Sequence, residues 1–202
     1  MTKRVKSVLL SLLCIFVLVI GGDFYIDRMK VDNLYRHGFQ LYEEQIATYL
    51  KEHYSGISKI EFSPIFITGG NGESFLQGRV VPVVYDSYGN KVYLRNDGFV
   101  EKVLVDYKMV FGTDLAFNVN DGSEIIYLRD DKRRHNSVIW GQPLPENLKW
   151  VDHETTDESM EAFSHEGYLK GVEKNDQGNP QVEISYNLEI QRIDERDLDK
   201  WK

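Results

Sequence analysis

The residue types best suited to chemistry lie between positions 152 and 166. Asp152-His153-Glu154 and His165-Glu166 supply two imidazoles and three carboxylates, all competent zinc ligands. Eleven residues separate the two histidines, which matches no common zinc spacing, so no metal ligand is expected here. A calcium loop over Asn118–Glu124 fails on Phe117 and Val119, which stand where side-chain oxygens are needed. The glycine cluster Gly69-Gly70-Asn71-Gly72 lacks the lysine and following helix of a phosphate cradle and reads as a turn. A Gly-x-Ser-x-Gly elbow, a P-loop, a dinucleotide fingerprint and His-Glu-x-x-His are all absent from the sequence. The 32 acidic residues allow many carboxylate pairs, and nothing singles one out. The expectation is a protein without a catalytic set or a cofactor.

Binding is then the natural class, and charge bounds it. The net charge is −8. Lys3, Arg4 and Lys6 are the only charged residues among the first 22, so the remainder holds 21 of the 24 basic residues against all 32 acids, a net of −11. Such a domain is a poor match to nucleic acid, whose phosphates reward lysine and arginine. Its complement is a protein with a basic surface, although acidity also serves solubility alone. Lys132-Arg133-Arg134 is a basic island, either a solvated loop or a contact to an acidic surface. Near the C-terminus Val182, Ile184, Tyr186, Leu188 and Ile190 alternate with Glu183, Ser185, Asn187 and Glu189. That is a strand with one buried and one wet face. The wet face (Glu183, Ser185, Asn187, Glu189) is the candidate partner-binding surface, set against its plain alternative of a solvent-facing sheet.

The elements that position these residues begin with an N-terminal apolar run. Val8, Leu9, Leu10, Leu12, Leu13, Ile15, Phe16, Val17, Leu18, Val19 and Ile20 follow the basic start and precede Gly21-Gly22. This pattern predicts a signal anchor over 1–22 that spans the membrane, a juxtamembrane stalk over 23–31, and a domain over 32–202. The positive flank puts the N-terminus inside and the domain outside, at the cell surface. Cleavage after Gly22 is the competing reading. A lipoprotein signal is rejected, because Leu13 and not a small residue precedes Cys14, the single cysteine. No disulfide can form within the chain.

Beyond it, Tyr35, Phe39, Tyr42, Ile46, Tyr49 and Leu50 mark an amphipathic helix over 32–54, with Glu43, Glu44, Lys51 and Glu52 elsewhere on its wheel. Asp32 or Asn33 would cap its start. Strands are expected over 59–68, with Pro64 marking an edge or a bulge, over 75–85, and over 91–95 after the hairpin turn Asp86–Asn90. Two more, over 114–119 and 124–128, flank Asn120-Asp121-Gly122. Residues 99–111 suit helix or strand. Residues 130–150 read as loop, 155–165 as a short helix burying Met160 and Phe163, and 168–173 as a strand pairing with the last one. Together these predict an α+β fold: a transmembrane helix, then an amphipathic helix packed on an antiparallel sheet of about six strands.

Three segments, Tyr49–Phe62, Val81–Leu94 and Val182–Ile190, together with the plan of short basic start, apolar segment and single acidic domain, give the chain a look similar to the TipC immunity family. The resemblance is architectural and carries no functional residue across. It implies a membrane-tethered extracellular immunity protein that binds and neutralises a secreted toxin exported by a type VII system. The alternative is an accessory cell-envelope protein of structural or assembly role that binds an envelope component.

Overall fold

No proline occurs before Pro64, and isolated glycines cost a helix only about 1 kcal/mol each. The N-terminal part of the chain accordingly forms one uninterrupted helix. In the computed structural model, which describes residues 3–69, 77–95, 108–109, 115–118, 125–130, 132–149, 154–194 and 197, helix α1 runs from Lys3 to His53. It passes through Gly21-Gly22, residues 23–31 and Asp32 without a break, so neither Asp32 nor Asn33 caps a helix start. Among the described residues no helix is long and apolar enough to cross a membrane. Residues 8–20 alone rise about 20 Å as helix, short of a hydrocarbon core about 30 Å thick. The single-pass span expected of Val8–Ile20 is overturned by this finding, and with it the anchored, domain-outside localisation.

Two compact units emerge, Met1–Tyr35 and Arg36–Lys202. The first consists of helix alone over its described residues. The second holds the rest of α1 and all remaining elements. Here the expected stripe is buried at Phe39, Tyr42, Ile46, Tyr49 and Leu50. Burial extends further, to Leu41, Glu43, Gln45 and Ala47, an arc of about 240° at 100° per residue. Gly38 and Gly78 explain how neighbours come so close. A Cβ on Gly38 would lie 2.3 Å from the Phe117 ring, and one on Gly78 would lie 2.7 Å from the Phe39 ring.

Thirteen strands in four hydrogen-bonded sheets surround it among the described residues, not one antiparallel sheet of about six. They are β1 Tyr54–Ser55, β2 Ile57–Phe62, β3 Ile65–Thr68, β4 Gln77–Arg79, β5 Pro82–Asp86, β6 Lys91–Tyr93 and β7 Lys108–Met109. After them come β8 Leu115–Asn118, β9 Ile125–Arg129, β10 His135–Ile139, β11 Glu173–Lys174, β12 Glu183–Ser185 and β13 Ile190–Arg192. The sheet orders are β12-β2-β5-β6, β13-β3-β4-β7, β10-β9-β8 and β1-β11.

The first two sheets use the same three stretches of chain, each interrupted once. Pro64 has no N–H to give a ladder, so β2 breaks from β3 at Ser63-Pro64. The Ser63 hydroxyl mends the gap by accepting the Val81 N–H at 2.8 Å, while the Ser63 N–H bonds Val81 O at 3.0 Å. This stretch is interior, flanked by β12–β13 on one side and β4–β5 on the other, so Pro64 marks a break and not an edge.

The last stretch lies parallel to β2 and β3, Ile184 opposite Ile60 and Gln191 opposite Phe66. Parallel pairing needs a long crossover, and the chain between residues 68 and 183 provides it. The expected pairing of 168–173 with this strand does not form. β11 pairs with β1 instead. The intervening Asn175–Asn179 turn closes the C-terminus of α1: Asn175 and Asn179 donate their N–H groups to His53 O at 2.7 Å and Lys51 O at 2.8 Å. Gly178, at φ 56°, has no room for a Cβ, which would sit 2.2 Å from Lys51 O.

Two hairpins share one turn device. In β5–β6 the Asp86 carboxylate accepts the N–H groups of Tyr88 and Asn90, with Gly89 at φ 85°. In β9–β10 Asp130 accepts from Lys132 and Arg134 in the same way, with Arg133 at φ 60°. The stretch 130–150 is therefore no simple loop, since it carries β10 and a 3-10 turn at Glu146–Leu148. Asx-type bonding of this kind favours ionised aspartate. At Asp130 desolvation opposes ionisation, but the Arg134 backbone and side-chain hydrogen bonds outweigh it and hold the pKa at about 2. A folded pKa below the unfolded one stabilises above about pH 4 and is lost as pH falls through 2. Asp130→Asn should therefore weaken the acid dependence of unfolding below pH 4, measured by urea melts at pH 2, 3, 4 and 6. An unchanged pH slope would show that the turn carboxylate is not linked to folding.

β8 and β9 pair antiparallel, while Asn120-Asp121-Gly122 between them and most of residues 99–111 lie outside the described residues.

Candidate functional site: a cleft beside helix α2

Helix α2, Glu154–His165, buries Thr156, Ser159, Met160, Ala162 and Phe163. Its end is set by a left-handed Gly167 (φ 78°), after which the Tyr168 and Leu169 N–H groups both reach back to Phe163 O. The chain then doubles back toward β1. Ser164 Oγ donates to Val172 O at 3.0 Å, and the Lys170 N–H donates to the Asp86 carboxylate at 2.8 Å. Gly56 allows the closest approach, since a Cβ there would lie 1.8 Å from Gly171 O. These bonds fix the 166–172 segment between α2 and the β5–β6 turn, and a half-open cleft of about 500 Å³ lies beside α2.

At one end of the cleft stands Asp157. Tyr49 Oη donates to both of its oxygens at 2.8 Å, Tyr54 Oη donates to Oδ1, and Lys174 Nζ pairs with Oδ2. Both tyrosines are buried, and the carboxylate is 22% exposed. Three donor groups thus share a carboxylate with about four acceptor sites, the Tyr49 hydroxyl being bifurcated between the two oxygens. Asp157 ties α1, β1, α2 and β11 together. Met160, Leu169 and Val172 give the cleft an apolar floor, and Glu161 and Glu173 stand exposed at its mouth. Tyr88, 74% exposed, flanks it: a Cβ on Gly171 would lie 3.6 Å from its ring. Tyr168 is exposed on the same loop and packs edge-on against Phe163.

The sequence-derived surface lies elsewhere. Glu183 and Ser185 are exposed on β12, which ends there, so Asn187 and Glu189 belong to the connection to β13. Asn187 Oδ1 accepts the Glu189 N–H at 3.2 Å, and Glu189 O accepts the Ile65 N–H. Glu183 sits 3.8 Å from Lys59, which also pairs with Glu61. The Tyr85 hydroxyl donates to Glu61, and these bonds hold the Glu61 carboxyl below its usual range. The opposite face is shallower than alternation implies, with Val182 buried, Ile184, Leu188 and Ile190 half-buried, and Tyr186 exposed and stacked on Phe62 at 5.7 Å.

Of the metal-like grouping, Asp152 and His153 lie outside the described residues, and His165 and Glu166 form an exposed pair at 3.5 Å. Among the described residues no group of three or more His, Cys, Asp or Glu is placed to hold a metal ion. Lys132 and Arg133 are exposed in the β9–β10 turn, and Arg134 pairs with Asp130 at 2.8 Å.

Sequence reasoning missed the Asp157 cluster, whose members come from positions 49, 54, 157 and 174; no local pattern connects them. It also placed Glu43 on the open side of the helix wheel, where the fold buries it completely. A signal did exist there, for Glu43 stands four residues from both Phe39 and Ala47 and seven from Leu50.

No family model matches the chain, and no curated protein or solved structure is significantly similar to it.

Proposed function

We propose that this protein is a binding module that neutralises another protein by covering a basic surface on it. The observation that supports this most is the cleft beside α2, lined by exposed Glu161 and Glu173 and flanked by exposed Tyr88, with exposed Tyr168 on the adjoining loop. Tyrosine supplies large contact area at low entropic cost, and carboxylates around it select a cationic partner. The net charge of −8 steers such a partner in over longer range. Asp157, bonded to Tyr49, Tyr54 and Lys174, gives that surface a rigid support. The TipC resemblance suggests the partner's class, a secreted protein toxin, with the module as its immunity protein.

The test is capture of secreted toxins from the same and competing strains on the purified chain, followed by association kinetics on whatever is captured. The expected result is toxin binding and protection on co-expression, with an association rate that falls about tenfold or more between 50 and 500 mM salt. A captured toxin that associates at a salt-independent rate would remove the electrostatic argument. No capture and no protection would remove the proposal.

A further inference from the structure

We propose that the cleft between α2 and the 169–174 segment is a receptor for a lysine or arginine side chain carried on an extended basic segment of a protein partner. The assignment rests on the basic-partner reading above and names where on the molecule that partner is gripped.

Shape comes first. At about 500 Å³ the cleft falls in the range of side-chain and ligand pockets, roughly 300–1,000 Å³. It is half-open, and its polar lining comprises the Asp157–Lys174 pair and the exposed carboxylates of Glu161 and Glu173. The floor of Met160, Leu169 and Val172 is apolar and buried. A long side chain with a methylene stem and a charged head fits that profile, stem on the floor and head in the polar mouth.

Charge chooses the sign of the head. Lys174 is committed to Asp157, which leaves the Glu161 and Glu173 carboxylates as the charges at the mouth. His165 also lines the cleft, and it is paired with Glu166 outside it. An anionic or neutral head would meet two carboxylates with no free cation among the described lining residues. A guanidinium or ammonium meets two acceptors and, at the rim, the Tyr88 ring face for a cation–π contact. The backbone helps, because Gly171 carries no side chain where the partner chain would cross.

The probe is an eight-residue peptide alternating glycine with lysine and arginine, titrated into the isotopically labelled full chain and followed by amide chemical shifts. A glutamate-bearing counterpart serves as control. The expected result is saturable shifts at Ser164, Gly171, Val172 and Glu173, weakened about tenfold or more in Glu161→Lys/Glu173→Lys. The milder Glu161→Gln/Glu173→Gln should weaken binding less, and it guards against a folding defect in the reversed pair. Glu183→Lys/Glu189→Lys, on the distant strand, should leave cleft shifts unchanged. Shifts centred on residues 183–189 would overturn the cleft while sparing the basic-partner reading. Undiminished binding in both cleft variants would overturn it equally, and so would spermidine binding the cleft as tightly as the peptide. No shift anywhere at millimolar peptide would count against both.

Discussion

Glu43→Gln is expected to stabilise the fold by about 3 kcal/mol at pH 7. Glu43 is fully buried on α1, and neither carboxylate oxygen has a hydrogen-bond partner. Desolvation pushes its pKa from 4.5 to about 9, only slightly offset by the Asn187 backbone amide, which stands short of hydrogen-bond geometry. The same burial shifts the groups around it. Glu44 is also raised, foremost by burial, and the Tyr186 hydroxyl is pushed up to about 12 by burial and by Glu44 and Glu43. At neutral pH the folded state therefore holds a proton on Glu43 that the unfolded chain has released. A native state binding more protons than the unfolded one loses stability as pH rises, here from about 4.5 to 9. By pH 7 that is 2.5 pH units at about 1.4 kcal/mol each. Glutamine has the shape of the protonated acid and cannot ionise, so it keeps the packing and removes the slope. Urea melts at pH 5, 7 and 9 measure this directly. The two proteins should be close at pH 5 and diverge upward. A wild-type stability that is flat or rising across that interval would show that Glu43 ionises within the fold.

Asp157→Ala carries the second large effect, a loss of about 3 kcal/mol. It strands two buried hydroxyls, Tyr49 and Tyr54, each of which costs roughly 1–3 kcal/mol when left unsatisfied. The partial exposure of Asp157 lets water recover part of the loss, which keeps the figure near the lower end. Removing the hydroxyls as well, in Asp157→Ala with Tyr49→Phe and Tyr54→Phe, should recover much of the stability, because no unpaired donor then remains. Thermal unfolding of the single and triple variants gives the comparison. A single variant within about 1 kcal/mol of wild type, or a triple variant less stable than the single, would show that the cluster does not act as a clamp.

Both residues illustrate how far the chain can be read unaided. Local, periodic signals were legible. The 3.6-residue spacing of Phe39, Tyr42, Ile46, Tyr49 and Leu50 announces a buried helical face, and Asp86–Asn90 announces a hairpin. Met160 and Phe163 announce the inner side of α2. Each depends on residues within a few positions of one another, where backbone geometry alone sets which side chains meet. Competing long-range terms were not legible. Glu43 is buried because the fold covers most of the circumference of α1 beyond residue 36, with β4, β8 and β9 against Gly38 and Phe39 and the Asn187 backbone near Glu43. A wheel drawn from one segment does not show how many sides will be covered. The strands are short among the described residues because Ser63-Pro64, Val80-Val81 and residues 186–189 interrupt longer stretches, and the last stretch returns parallel to β2 and β3.

The N-terminus shows the same limit from the other side. A thirteen-residue run, apolar except for Ser11, behind a basic flank resembles an anchor, yet the decisive quantity is the continuous length of apolar helix. α1 runs on through Asp23, Asp27 and Arg28 with no window long and apolar enough to cross a membrane among the described residues.

By itself, then, the sequence determined the acidic balance, the absence of the catalytic motifs named above, the buried face and C-terminal end of the strongest helix, and the Asp86–Asn90 hairpin turn. These are sums over composition or properties of neighbouring residues. Only the tertiary structure decided that Tyr49, Tyr54 and Lys174 converge on Asp157 and that a cleft with an acidic mouth opens beside them. Its walls come from positions more than a hundred residues apart, and what joins them is the close passage of two glycine backbones, Gly56 and Gly171, that no spacing in the chain encodes.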